Sequence, residues 1–278
     1  AKHQGVKVVN VPVGFKEIAN IMKKVELKLK NNPEKEVIID DVFSNAINLG
    51  VNPRLIFAGE ESGGMIMGTE DLIKSKAGRF AIAMREKSAT EAIIVASALI
   101  SQLKDISLSR YLVQIFEECN IKGRFDTRID IAYYNESEPD IEKLKLAKAE
   151  GEKKRTENDL FYLSMAIAVK EGKMTLDNVK EVLNDSFKSL SFDNLQSIKF
   201  VGDGTYLEFT DKFIEIRPSG TDAKTKAYGG GLDKQVLELY AANLGNYSGY
   251  RTELHKKFID NEFYNSSKEK AMKYYLEF

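Results

Sequence analysis

Apolar residues in the first 120 positions alternate between short runs and helical spacing, which is typical of a domain that mixes strands and helices. Ile18, Ile21 and Val25 recur on one helical face, so this pattern predicts a helix over residues 15–29. The remaining predictions are, in chain order, a strand at 6–9, a strand or short buried turn at 37–39, a short helix at 44–49, a strand at 55–58, a helix from the capping box Ser88-Ala89-Thr90-Glu91 to Leu103, and a helix at 110–119.

The middle of the chain has a different pattern. Residues 136–158 are dense in Glu and Lys, which predicts a solvated linker or an exposed helix between two domains. Apolar periodicity then predicts helices at 160–170 and 176–190, the second capped by Thr175.

The last third is sheet-like before it becomes helical. Strict alternation in 206–210 and 214–217 around a short Asp211-Lys212 connection predicts a β-hairpin. Residues 225–228 predict a further strand, ended by the glycines at 229–231, and 232–278 predict a mostly helical tail.

The length and net charge of the chain limit the number of domains and the kinds of partner that are expected. The 278 residues predict two domains, 1–135 and 136–278, and the net charge of -1 offers no basic field to nucleic acid. We expect the fold class to be α/β: a partial three-layer α/β domain followed by an α+β domain with a mainly antiparallel sheet. No apolar run is long enough to span a bilayer, and the lone Cys119, expected to be buried, fits a reducing, cytoplasmic compartment.

The turn Arg217-Pro218-Ser219-Gly220-Thr221 carries the strongest chemical pattern. Arginine binds a phosphate bidentately, the two hydroxyls donate hydrogen bonds, and glycine lets the backbone approach an anion. Lys224 and Lys226 add positive charge. The same composition is also typical of an ordinary turn.

A second pattern is the loop Gly59-Glu60-Glu61-Ser62-Gly63 after a predicted strand. Carboxylates accept hydrogen bonds from sugar hydroxyls, and the flanking glycines permit a sharp turn. A solvated acidic loop is the alternative, and a metal site is disfavoured because no histidine or aspartate lies near in sequence.

Lysines near helix starts form a third pattern. Lys16 and Lys87 each precede or begin a predicted helix, where a cation opposes the helix dipole unless an anion is bound. His3 and His255 have no partners in sequence, so both are predicted to be surface histidines without a catalytic or ligand role.

In order, these stretches resemble the α-D-phosphohexomutase family of phosphoglucomutases and phosphomannomutases. Its third domain has a Gly-aromatic-Lys turn like Gly14-Phe15-Lys16, a sugar loop like Gly59-Glu60-Glu61-Ser62-Gly63 and a lysine like Lys87. Its fourth domain has a phosphate loop matched by Arg217, Ser219, Gly220 and Thr221. Lys226 stands where the family has a phosphate-binding arginine, and Val13 where it commonly has threonine. The resemblance spans about residues 6 to 232.

The resemblance implies the third and fourth domains of an enzyme that interconverts hexose 1-phosphate and hexose 6-phosphate through a bisphosphorylated intermediate, an intramolecular phosphotransferase. It implies sugar contacts from Glu60, Ser62, Lys16 and Lys87, and phosphate contacts from Arg217, Ser219, Gly220, Thr221 and Lys226. The family's phosphorylated serine and its Asp-Gly-Asp-x-Asp-Arg loop for Mg²⁺ occur nowhere in this sequence. We therefore expect a C-terminal fragment with no catalytic or metal residue, inactive without the missing N-terminal domains.

Two alternatives stay open at this point. Glucose is weakly favoured over mannose or an amino sugar by the Glu-Glu-Ser form of the sugar loop. A non-catalytic sugar-phosphate-binding or interaction module, which never had a catalytic half, would carry the same two loops.

Overall fold

The computed structural model describes residues 4–60, 64–86, 88–121, 125–220 and 222–277. The chain divides into two units, Ala1–Ile121 and Lys122–Phe278. The sequence pattern predicted the boundary at residue 135, after the strand Phe125–Ala132. In the structure this strand pairs with Lys224–Gly231, so it belongs to the second unit and the boundary lies before it. Both units combine helices with antiparallel strands, which confirms the mixed class. The three-layer arrangement of the first domain stays a prediction.

The first unit contains three helices and three two-stranded antiparallel pairs in its described residues. Its elements are α1 (Phe15–Asn31), β1 (Glu36–Asp40), β2 (Ala46–Val51), β3 (Phe57–Gly59), β4 (Met65–Met67), β5 (Ile73–Lys74), β6 (Phe80–Ala81), α2 (Ala89–Leu103) and α3 (Leu108–Glu118). The pairs are β1–β2, β3–β4 and β5–β6. The apolar face of α1 is buried, as its spacing predicted.

Two predictions in this unit are wrong. Residues 6–9 form no strand, and the helix predicted at 44–49 is instead β2. The reason lies in Asp41, whose Oδ1 accepts hydrogen bonds from the backbone N–H groups of Phe43 and Asn45, both at 2.9 Å. This Asx-type turn reverses the chain, so that Ile39 pairs with Ile47 across a hairpin.

Helices α2 and α3 bury none of their residues. Cys119 at the end of α3 is half-buried, whereas the sequence predicted a buried thiol. Within the described residues no single helix has the length and apolarity to cross a membrane; α2 and α3 satisfy that requirement only when taken together, and they meet at a bend of 83°.

The second unit is built on one five-stranded sheet. Its elements are β7 (Phe125–Ala132), α4 (Ile141–Lys170), α5 (Leu176–Ser186), β8 (Leu195–Val201), β9 (Gly204–Phe209), β10 (Lys212–Pro218), β11 (Lys224–Gly231), α6 (Lys234–Gly245), α7 (Glu253–Phe258) and α8 (Asn261–Glu277). The strand order is β7-β11-β10-β9-β8, and every neighbouring pair is antiparallel. The predicted hairpin is confirmed as β9–β10.

The helices pack on one face of this sheet, where side chains such as Phe161, Leu207 and Ile214 are fully buried. The glycines at 229–231 do not end β11, as the sequence predicted, but continue it. A Cβ added at Gly229 would lie 2.8 Å from both Ile214 Cδ1 and Leu237 Cδ1. A larger residue at this position would force the Ile214 and Leu237 side chains to shift, so glycine favours the close packing of α6 on the sheet.

Residues 136–158 are not a linker, because most of them form the first half of the 30-residue helix α4. Of the two predictions for this segment, a solvated linker and an exposed helix, the exposed helix agrees better with the structure. The helix begins after Pro139 and Asp140, and from Ile141 to residue 158 it contains no proline and a single glycine, Gly151. The apolar second half of α4 anchors the whole helix on the sheet.

The prediction that His255 lies at the surface is also wrong, since its side chain is fully buried. Its ring stacks on Phe161 at a centroid distance of 5.0 Å, and Arg251 Nε donates a hydrogen bond to Nδ1 at 3.0 Å. No sequence neighbour indicated these partners. His3 lies outside the described residues.

Candidate functional site: a cationic hairpin turn and an acidic loop

The predicted phosphate loop lies at one end of the β10–β11 hairpin. Ser219 N–H donates to the Lys224 carbonyl at 2.9 Å, and Lys224 N–H donates to the Asp222 carbonyl at 2.8 Å, so the turn is closed by its own backbone. Ser219 is buried, and Gly220 has open space around its Cβ position. Thr221 lies outside the described residues. The turn thus has the backbone closure and the tip glycine that an anion-binding loop needs.

Arg217 and Lys226 occupy directly paired positions on β10 and β11. Strand alternation places both side chains on the face opposite the helices, because Ile216 and Ala227 face the core. Lys226 also pairs in register with Asp130 on β7. No described residue forms an ion pair with the Lys226 ammonium. Two cationic side chains therefore stand side by side next to the turn.

Arg217 is engaged by a carboxylate that the sequence did not indicate. Its Nε lies 2.7 Å from Asp203 Oδ1 and its Nη2 lies 3.1 Å from Asp203 Oδ2. Asp203 sits in the turn between β8 and β9. Burial disfavours the charged guanidinium, but the hydrogen bonds and charge of Asp203 outweigh this and raise the pKa of Arg217.

The Asp222 side chain links the turn to neighbouring residues. Its carboxylate accepts a hydrogen bond from the Tyr134 hydroxyl at 2.8 Å and lies 3.4 Å from the Lys148 ammonium. The Tyr134 hydrogen bond and then the nearby lysines lower the pKa of Asp222. Lys224 lies 2.7 Å from Glu136 Oε1 and 3.7 Å from Asp222 Oδ2. The charge that the sequence assigned to Lys224 is thus shared with two carboxylates, which leaves Lys226 as the better anion contact.

Sequence reasoning missed two residues at this turn, Lys148 and Arg155. Both lie in the charged half of α4 that was interpreted as solvated, yet Lys148 reaches Asp222 and Arg155 Nη1 reaches backbone carbonyls of the turn. The sequence of a charged stretch does not distinguish these two residues from the other lysines and glutamates around them. The packing of α4 against β11 distinguishes them, because it brings these two side chains to the turn.

The predicted sugar loop connects β3 and β4 in the first unit. Glu60 is half-buried, and its N–H donates to the Gly64 carbonyl at 3.3 Å. The neighbouring Gly59 pairs with Met65. Glu61, Ser62 and Gly63 lie outside the described residues. Glu60 therefore lies at the base of the β3–β4 hairpin.

The start of α2 lies beside this loop, because Ser88 N–H donates to the Met65 carbonyl at 3.2 Å. Half of the predicted capping box forms, with Ser88 Oγ accepting from Glu91 N–H at 3.1 Å. Lys87, one residue earlier, lies outside the described residues. Lys16 is in the first turn of α1, exposed, with its ammonium 3.4 Å from Glu17 Oε1. That neighbouring carboxylate offsets the unfavourable position of a lysine at a helix start.

The structure thus assembles Arg217, Ser219, Gly220 and Lys226 on one hairpin and joins the loop of Glu60 to the start of α2. The two groups belong to different units. In the described part of the chain, no cluster of three or more His, Cys, Asp or Glu side chains could hold a metal ion. No protein-family model matches this sequence, and no curated protein matches it either.

Proposed function

We propose that this chain is the sugar-binding and phosphate-binding part of a phosphohexomutase, an intramolecular phosphotransferase of the phosphoglucomutase and phosphomannomutase type. Its ligand is a hexose phosphate, and the full enzyme interconverts the 1-phosphate and the 6-phosphate through a hexose 1,6-bisphosphate. The order of the two loop motifs along the chain supports this family.

The observation that carries the proposal is the side-by-side placement of Arg217 and Lys226 next to a closed turn with glycine at its tip. A phosphate dianion needs several donors that converge from different directions, and guanidinium, ammonium and backbone N–H groups supply them here. The turn is held by its own backbone and by Asp222, so little ordering entropy is lost when an anion binds.

Glu60 supports the second half of the proposal, recognition of the sugar. Glu60 lies at the base of the β3–β4 hairpin, and a carboxylate accepts hydrogen bonds from neighbouring ring hydroxyls. The sequence adds the hydroxyl of Ser62. Lys16 and Lys87 stay proposed contacts of the same ligand. Glucose is the first ligand to test because of the Glu-Glu-Ser form of the loop.

Group transfer requires parts that this sequence does not contain. The phosphorylated serine motif and the Asp-rich Mg²⁺ loop of the family have no counterpart in this amino-acid sequence. The role proposed for this chain is therefore to bind and orient the ligand. No step that uses a metal is assigned to it. The phosphoryl group would be supplied by the N-terminal domains of such an enzyme.

The proposal is tested by titrating the purified chain with glucose 1-phosphate, glucose 6-phosphate and mannose 1-phosphate, followed by amide NMR. A few charge-assisted hydrogen bonds, after the costs of association, correspond to a Kd on the order of micromolar to millimolar. We expect the largest shifts at Ser219, Gly220 and Lys226. Free glucose and inorganic phosphate, titrated separately, measure how much each part of the ligand contributes.

Two results would contradict the proposal. The first is the absence of saturable binding of any hexose phosphate. The second is saturable binding whose shifts lie away from both loops, because the chain would then recognise sugar phosphates by other residues. Mutase turnover by this chain alone would contradict the assignment of group transfer to other domains.

A further inference from the structure

Arg155 lies behind the 219–223 turn, on the side of α4. Its Nη1 donates to the Ser219 carbonyl and, at 3.2 Å, to the Asp222 carbonyl. These two carbonyls flank the tip of the turn. Its Nη2 pairs with Glu152 at 2.6 Å, one helical turn earlier, which orients the guanidinium along the helix. One side chain of α4 therefore holds both sides of the turn.

This contact decides where the N–H groups of the turn point. In a trans peptide the C=O and the following N–H point in opposite directions. Because the Ser219 carbonyl points towards Arg155, the N–H of the exposed Gly220 points away from α4. An outward N–H at the tip is what an anion would contact.

The fit between α4 and the turn is close. A Cβ added at Gly151, one helical turn before Arg155, would lie 3.2 Å from Ala223 Cβ. Glycine in a helix interior costs about 1 kcal/mol relative to alanine, so its presence here is explained by this approach. Helix and turn form one packed unit, and the guanidinium of Arg155 is mostly buried in it.

We propose that Arg155 is a positioning residue that holds the 219–223 turn in its anion-binding conformation. The inference rests on the proposed function of this turn. Arg155 does not itself contact the ligand; it acts through the backbone of Ser219 and Asp222.

The test compares Arg155→Met with Lys154→Met. Methionine keeps an unbranched stem but has no hydrogen-bond donor. Lys154 is the adjacent, exposed residue, so Lys154→Met removes one positive charge, as Arg155→Met does, without affecting a contact to the turn. With glucose 1-phosphate as the probe, Arg155→Met is expected to weaken binding about tenfold, because a turn that is no longer held must be ordered by the ligand. Lys154→Met is expected to stay within about twofold.

Three further measurements make the result specific. The ligand-induced shift of the Gly220 amide is expected to be large in the wild type and largely lost in Arg155→Met, a change that a general loss of stability would not cause. Thermal unfolding measured alongside shows whether the variant is folded. If it is not, Arg155→Lys decides. An ammonium lacks the second nitrogen with which the guanidinium pairs with Glu152 while Nη1 holds both carbonyls, so binding should weaken about threefold.

The two proposals fail differently. If the wild type binds no hexose phosphate or inorganic phosphate, the proposed function is wrong and this inference with it. If the wild type binds and a folded Arg155 variant binds equally well with an unchanged Gly220 shift, only the inference is wrong.

Discussion

The guanidinium of Arg217 and the carboxylate of Asp203 share two hydrogen bonds, of 2.7 and 3.1 Å, through Nε and Nη2. Of the five N–H donors of an arginine, this leaves those of Nη1 and one of Nη2 for another acceptor. The side chain of Arg217 is mostly buried, whereas that of Asp203 is half exposed. The pair thus holds the arginine in place and also puts a negative charge close to the proposed phosphate site.

The first prediction concerns that charge. Asp203→Asn keeps an acceptor for Arg217 Nε–H but removes a carboxylate that repels a phosphate dianion. We expect glucose 1-phosphate to bind roughly three- to tenfold more tightly at low salt. Calorimetry at two salt concentrations measures this, and the gain should shrink as salt rises. Weaker binding by the variant would mean that orientation of Arg217 matters more than the charge.

Arg217 itself is the second prediction. Arg217→Ala removes a charged donor, so we expect a loss of about 2 kcal/mol in binding, or roughly thirtyfold in Kd, for sugar phosphate and inorganic phosphate alike. The matched control is Arg128→Ala. Arg128 projects from the same face of the sheet and pairs with Asp130 through the same two nitrogens. Equal losses from the two variants would exclude a specific role for Arg217.

The third prediction separates the sugar from the phosphate. Glu60→Gln replaces an ionised acceptor with an amide of the same shape, so we expect glucose 1-phosphate binding to weaken roughly three- to tenfold. Inorganic phosphate, which has no ring hydroxyls, should bind as it does to the wild type. Competition between the two ligands measures both constants in one sample. A parallel loss for inorganic phosphate would place Glu60 outside sugar recognition.

The fourth prediction is an acid sensitivity that originates at His255. Burial, and then the positive charge of Arg251, lower the pKa of His255 from 6.5 to about 4. Since the folded state resists protonation, the neutral ring stabilises the fold above pH 6.5, and this stabilisation is lost as the pH falls towards 4. The loss amounts to about 3 kcal/mol at most. Urea unfolding across this range measures it. His255→Gln, which can still accept from Arg251, should flatten the slope; an unchanged slope would assign it to other groups.

Asp159 on α4 has the opposite effect, which is the fifth prediction. Burial is the main cause that raises its pKa from 3.8 to about 7. The charges of Lys268 and Arg155 oppose this shift, and that of Asp203 adds to it. The contribution of Asp159 to stability is therefore fully present below pH 3.8 and is lost as the pH rises towards 7.

Replacing Asp159 by Asn removes this cost. We expect the free energy of unfolding at pH 8 to rise by about 2–4 kcal/mol. The remaining pH dependence between 4 and 6.5 should steepen, because the contribution of His255 is then no longer opposed. A variant that is less stable than the wild type at pH 8 would show that the ionised carboxylate is compensated in the fold.

Local pattern determined several parts of this protein. The helix face of Ile18, Ile21 and Val25 is buried as its spacing indicates, Thr175 caps α5, and the β9–β10 hairpin follows from strict alternation. These features depend on residues a few positions apart, so the sequence contains everything needed to predict them. The candidate residues Arg217, Ser219, Gly220 and Lys226 likewise came from one short motif and its strand.

Tertiary structure decided what depends on distant partners. Asp203, directly before β9, reaches Arg217 on the neighbouring strand β10. Arg155 reaches the turn from a helix more than sixty positions earlier, and His255 is buried against Phe161. The segment at 44–49 became a strand because a turn at Asp41 and pairing with β1 outweighed weak local helix propensity. A residue type shows what a side chain can do, but burial and pairing are set by the rest of the chain, and these determine its pKa, its orientation and its free donors.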